Sequence, residues 1–445
     1  MLMNFYLENW RSFYEPSSFS MIATSERQHG ARIPRINKYR TRVLPIAALY
    51  GGNASGKTNF CQALRFVKKM VVQGTGSEPD RYIDVDPFRL DKKAANKPSR
   101  FKIEILVDEM IYELSFAITP KKVFEEKLIQ ITSSSEKVLY DRKEMNINFH
   151  PSLEKEELLK YAFIGTRANQ LFITNTISQN IKTFISVYNW FKNNLVLIAP
   201  DTRFGAYGYF IDEENPLYGT MNELLPLLDT GIENLGGEEM SLENAAIPIE
   251  IKEKLKEEVE DNKPALIMSP QEHKWYTVKR DNGKLVAKKL VTYHENSEGE
   301  KIKFEMVDES DGTRRIIDLL PAFLGLLSKD SKKVFIIDEI DRSLHTLLIK
   351  QLIETYLRNC SEATRSQLLI TTHDLLLMDQ ELLRRDEMWV TDRNRDGSST
   401  IYSFSDFNKD VRHDKDVRKS YLQGRLGGIP KIFLDPLPES CKEAK

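Results

Sequence analysis

Gly51-Gly52-Asn53-Ala54-Ser55-Gly56-Lys57-Thr58 spells G-x-x-x-x-G-K-T, the spacing of a loop that wraps a phosphate chain. Glycine lets the backbone turn without side-chain clashes, so the amides of Asn53, Ser55 and Asn59 and the following helix N-terminus can face an anion. Lys57 would reach the β- and γ-phosphates, and the Thr58 hydroxyl would sit on Mg²⁺. A second cluster closes the apolar run Lys333–Ile337 with Asp338 and Glu339. Asp338 would hold the metal, and Glu339 would orient or deprotonate an attacking water. A third run, Ser366–Thr372, ends in His373, which would stabilise charge developing on a γ-phosphate.

These residues need rigid elements behind them. Val43–Tyr50 reads as a buried strand, and the chain from Asn59 onward reads as a helix. The acidic run and the His run read as parallel buried strands, whose carboxyl ends are where open α/β sheets bind ligands. Glu309-Ser310-Asp311-Gly312-Thr313 precedes a helix with Ile316, Leu319, Leu320, Phe323, Leu324 and Leu327 on one face. Ser310, Gly312 and that helix start suit an anion, while Ser310 or Asp311 would equally serve as its cap.

In this order the motifs resemble the ATP-binding-cassette ATPases of the RecF/SMC-like branch. Ser310-Asp311-Gly312 is similar to that family's signature loop, which implies that Ser310 and Gly312 contact a γ-phosphate held by the opposite subunit. Asn9-Trp10-Arg11-Ser12-Phe13 resembles the segment that opens such proteins, making Arg11 a candidate nucleotide contact or a solvated strand-end arginine. Asp341-Arg342-Ser343-Leu344 is similar to the D-loop, and Asp341 would equally cap the helix through Leu347 and Leu348. The tail Tyr421-Leu422-Gln423-Gly424-Arg425-Leu426-Gly427-Gly428-Ile429-Pro430 resembles the ending of RloA, AbiL and OLD-type ATPases of bacterial anti-phage systems. No glutamine loop stands out beyond Gln130 and Gln170.

The resemblance implies an α/β, ABC-type P-loop NTPase head, a mixed sheet flanked by helices, with an antiparallel β lobe and a helical/β insertion. It implies ATP and Mg²⁺, self-association as an ATP-sandwich dimer or a higher oligomer, and a separate effector such as a TOPRIM-type nuclease. Direct DNA binding of RecF type, or a transporter's nucleotide-binding subunit, would be the alternatives. Residues 1–150 would form the first half of the head with its β lobe, 151–300 a mainly helical insertion with a β-hairpin, and 301–445 the second half.

The 445 residues leave ample apolar content, 41%, for a core and a formal net charge of −2. That charge gives no global case for nucleic acid. No signal pattern or apolar run of about 18 residues stands out, so a soluble cytoplasmic protein without membrane partners is expected. Cys61, Cys360 and Cys441 show no metal spacing. Phe101–Val107 and Ile111–Phe116 read as a hairpin around Asp108-Glu109, and residues 153–195 as helical, with Trp190-Phe191 in the core. Ile249–Asp261 reads as an exposed charged helix. Asp281-Asn282-Gly283 reads as a hairpin turn between the strands starting at Trp275 and Leu285. Without sustained heptads there is no long coiled-coil arm. Asp414-Lys415-Asp416 has a metal-binding spacing, yet among Arg412, His413 and Arg418 it reads as a solvated charge cluster.

Overall fold

The structure, a computed structural model, describes residues 1–76, 78, 80–200, 215–259, 265–268, 275–281, 283–407 and 416–429. Asn282, Arg412-His413-Asp414-Lys415, Pro430 and Cys441 therefore lie outside the described residues. The chain divides into two compact units: Met1–Leu197 with Lys329–Ile340 and Leu357–Lys445, and Ile198–Ser328 with Asp341–Tyr356.

The first unit is built on two large sheets, beside a short pairing of Arg35–Ile36 with Thr41–Arg42. Its mixed sheet has the strand order Leu195–Ile198, Val334–Ile337, Gln367–Thr371, Ile46–Tyr50, Met388–Arg393, Ser399–Ser403. Val334–Ile337, Gln367–Thr371, Ile46–Tyr50 and Met388–Arg393 run parallel, and Ser399–Ser403 turns back antiparallel. Ile46–Tyr50, Val334–Ile337 and Gln367–Thr371 are buried throughout, which is why these strands read as unbroken apolar runs. The register aligns Ile337 with Ile370 and Ile370 with Ala48. The phosphate-loop, His-bearing and acidic strands therefore end together along one edge.

The second sheet is antiparallel and seven-stranded, ordered Asn146–Phe149, Glu136–Lys143, Val123–Ile131, Met110–Ile118, Ser99–Val107, Leu2–Glu8, Ser17–Ser20. The hairpin expected around Asp108-Glu109 is present, with both residues in the left-handed region at φ 46° and 62°. The helix Lys57–Val72 buries Phe60, Leu64, Phe66 and Val67 in the core these sheets share. Phe60 meets Phe5 at 5.6 Å and Phe19 at 5.2 Å, and Phe19 meets Trp389 at 4.7 Å. Short helices occupy Glu157–Ile164, Phe172–Ser178 and Ile185–Asn189, and Trp190-Phe191 is core.

The second unit holds a five-stranded sheet: Asn234–Ser241, Lys284–Glu295, Trp275–Asp281 and Ala265–Met268 in that order, with Lys301–Glu305 also pairing to Lys284–Glu295. Ile249–Glu258 is the charged helix. Asp311–Leu327 packs Ile317 and Leu320 with Met221, Leu235, Leu290 and Met306. It is buried on more than the single face the spacing suggested, for Ile317, Ala322 and Leu326 are buried too. Pro321 lies in its interior, where it cannot donate a backbone hydrogen bond to the preceding turn. No helix among the described residues is long and apolar enough to cross a membrane.

Candidate functional site

The phosphate loop leaves the Ile46–Tyr50 strand and enters the Lys57–Val72 helix. Gly51 at φ 152° and Gly56 at φ 116° permit this path. A Cβ on Gly51 would stand 2.5 Å from the Thr391 carbonyl oxygen, and one on Gly56 would stand 2.6 Å from Ser399 Oγ. The loop is thus seated on the Met388–Ser403 hairpin, where Ser55 Oγ and Thr391 Oγ1 lie 2.7 Å apart. Asn53 and Ala54 are exposed at the loop's tip, with Ala54 at φ 59°. Lys57 is buried, and its Nζ donates to the Gly51 and Gly52 carbonyls at 2.9 and 3.2 Å.

The same Nζ lies 3.4 Å from His373 Nδ1. An ammonium can only donate, so where the ring is neutral Nδ1 accepts and the ring proton sits on Nε2. Asp338 is buried, and its Oδ1 accepts from Thr371 Oγ1 at 2.6 Å. Thr371 Oγ1 in turn accepts from the Glu339 amide at 2.8 Å. This hydroxyl holds Glu339 in the left-handed region at φ 50°, a conformation costing roughly 1–3 kcal/mol for a residue with a Cβ. Nothing in the sequence marks Thr371 as functional beyond its being a hydroxyl residue at the end of an apolar strand.

Residues 9–13 fold against the start of the phosphate-loop helix. Trp10 Nε1 donates to the Asn59 carbonyl at 2.9 Å, and Asn59 Nδ2 donates to Ser12 Oγ at 2.8 Å. Arg11, at φ 48°, donates to Gln62 and lies 3.7 Å from Asp86. A cavity of about 630 Å³ gathers Arg11, Asn53 through Asn59, Glu339 and His373. Asp86, Arg89 and Arg393 also line it; scattered in sequence, they carried no motif. Neither Gln130 nor Gln170 is among its lining: Gln130 donates to Tyr112, and the Gln170 carbonyl accepts from Arg142.

In the second unit, Ser310 is the N-cap of the Asp311–Leu327 helix, accepting from the Thr313 amide at 3.0 Å. Glu309, just before it, is anchored by Thr292 Oγ1 and by His294 Nε2, the latter at 2.7 Å. Gly312 lies so close to the Ser343 carbonyl that a Cβ would stand 2.8 Å from its oxygen. The segment resembling a signature loop therefore touches the one resembling a D-loop. Asp341 does not cap the next helix, which begins only at Thr346. His345 Nδ1 accepts from the Leu347 amide there instead. Asp416 of the acid pair likewise caps the helix Val417–Leu422, accepting from the Lys419 amide at 3.1 Å.

A glycine loop between a buried parallel strand and a helix, with an acidic strand ending on the same sheet edge, defines a P-loop NTPase fold. Over residues 46–379 the sequence matches the family described as "AAA domain, putative AbiEii toxin, Type IV TA system", and the chain belongs to it. No curated protein matches. Among solved structures it is similar to the SMC head domain from Thermotoga maritima, with 13% identity and a TM-score of 0.37, covering 90% of this chain and 98% of that one. It is also similar to the SMC head bound to the C-terminal winged-helix domain of ScpA, with 14% identity and a TM-score of 0.36, covering 90% and 97%.

Proposed function

We propose that this chain binds and hydrolyses ATP, that two copies close around two ATP molecules, and that the cycle controls a separate effector in anti-phage defence. The observation that carries the catalytic part is the meeting of Lys57, Thr58, Glu339 and His373 on one cavity. The donor set suits a triphosphate: loop amides and a helix N-terminus for the phosphate oxygens, and the Lys57 ammonium for their charge. Thr58 and Asp338 are the residues that would hold Mg²⁺, which when bound neutralises charge on the β- and γ-phosphates. Glu339 accepts the proton of the attacking water, and His373 donates its Nε2–H to the γ-phosphate. Catalysis is then positioning plus electrostatics.

Dimerisation follows from Ser310 and Gly312 as trans contacts. ATP can shift an equilibrium only through differential affinity, and those contacts exist only in the closed dimer. The effector, a TOPRIM-type nuclease, and a cytoplasmic location rest on the resemblance in sequence. Native mass with and without ATP–Mg²⁺, on wild type and Glu339→Gln, tests the proposal. The expected result is an ATP-dependent even-numbered assembly that the variant holds longer. A mass indifferent to ATP, with Ser310→Arg hydrolysing normally, would overturn the dimer mechanism.

A further inference from the structure

The tail after Asp416 belongs to none of the catalytic roles above, yet it is bonded to the phosphate loop. The Gly52 amide donates to the Gly428 carbonyl at 2.9 Å. The same carbonyl accepts Tyr421 Oη at 2.7 Å, and the Leu426 carbonyl accepts Tyr402 Oη at 2.7 Å. Gly427 and Gly428 both stand at positive φ, 65° and 71°. A Cβ on Gly427 would collide with Tyr402 Oη, and one on Gly428 with Val390 Cγ1. Two successive glycines are thus what brings this backbone onto the strand beside the phosphate-loop strand. Tyr421 and Leu426 are buried. Burial, then the neighbouring Asp392, push the Tyr421 phenol up to about 12, so it remains a donor at neutral pH.

Resting on the nucleotide reading above, we propose that Tyr421, Gly427 and Gly428 form a clamp that sets the first turn of the phosphate loop through Gly52 and thereby tunes nucleotide affinity. Gly52 is the second residue after the strand ends at Tyr50, at the start of the loop. Fixing its amide fixes the direction in which the following amides point, before any phosphate arrives. The anchoring element is a helix of only six residues, Val417–Leu422, so the clamp is small enough to release without unfolding the sheet. These are positioning residues: none of them lines the cavity. Linkage then makes the effect reciprocal, since a docked tail that favours ATP must itself be favoured by ATP.

Two measurements on the full chain test this. Fluorescent ATP-analogue binding and hydrolysis are compared among wild type, Tyr421→Phe and Gly428→Ala, with Lys57→Met as the control and thermal unfolding as the check on folding. Losing one hydrogen bond, worth about 1 kcal/mol, corresponds to roughly a five-fold loss of affinity. Tyr421→Phe should show that loss with kcat little changed, and Gly428→Ala a larger one. Hydrogen exchange of the 417–429 amides in the wild type needs no variant, and it should slow when ATP is added. Wild-type binding that is unchanged in Tyr421→Phe and Gly428→Ala, with tail exchange indifferent to ATP, would sink the clamp and leave the nucleotide site standing. A wild type that binds no ATP would sink both.

Discussion

Thr371 shows how much one hydroxyl can organise. It donates to Asp338 and accepts from the amide of Glu339, so one side chain fixes the proposed metal ligand and the proposed base together. Thr371→Val keeps the shape and removes both bonds. Charged hydrogen bonds are worth about 1.5–3 kcal/mol, so kcat should fall roughly 10- to 100-fold while ATP affinity holds; a steady-state comparison of kcat with the binding constant checks this. Glu339→Gln should remove the base itself, with a rate loss of roughly 100-fold or more and ATP binding retained. Its identity as an acid after an apolar strand was legible in sequence. Its left-handed backbone was not, because φ is set by what the carbonyls and hydroxyls of the neighbouring strand offer.

The elements place residues that sequence spacing separates. Trp10, Ser12 and Arg11 meet the phosphate-loop helix because Leu2–Glu8 runs along the sheet that covers it. The start of the Asp311–Leu327 helix poses a question of a different kind, since Ser310 caps it whether or not it also meets a nucleotide. Asparagine caps about as well as serine, and alanine costs roughly 1 kcal/mol. Ser310→Asn should therefore keep the melting temperature near wild type while ATP hydrolysis collapses. Normal hydrolysis in that variant would reduce Ser310 to a cap. Gly312→Ala, with a Cβ pressed on the Ser343 carbonyl, should be impaired in hydrolysis even where folding is retained.

At the scale of the whole molecule, the near-balanced charge of −2 bears on partners. A protein that neutralises phosphates with many lysines and arginines binds DNA with a steep salt dependence. This chain, with ATP present, is expected to give no retention of duplex DNA at about 150 mM salt in an electrophoretic shift assay. Retention that falls steeply with salt would favour the RecF-type alternative.

The phosphate loop, the acidic pair and His373 were legible because their chemistry depends on local residue type and on strands whose burial writes an unbroken apolar run. The α/β class followed from the same runs. Tertiary structure alone decided that Thr371 couples the two acids, that Arg89, Arg393 and Asp86 share the cavity, and that the tail reaches back to Gly52. Each of these depends on which strand lies beside which. Strand order is set by the packing of a whole sheet around its core, not by the residues that happen to meet at its edge.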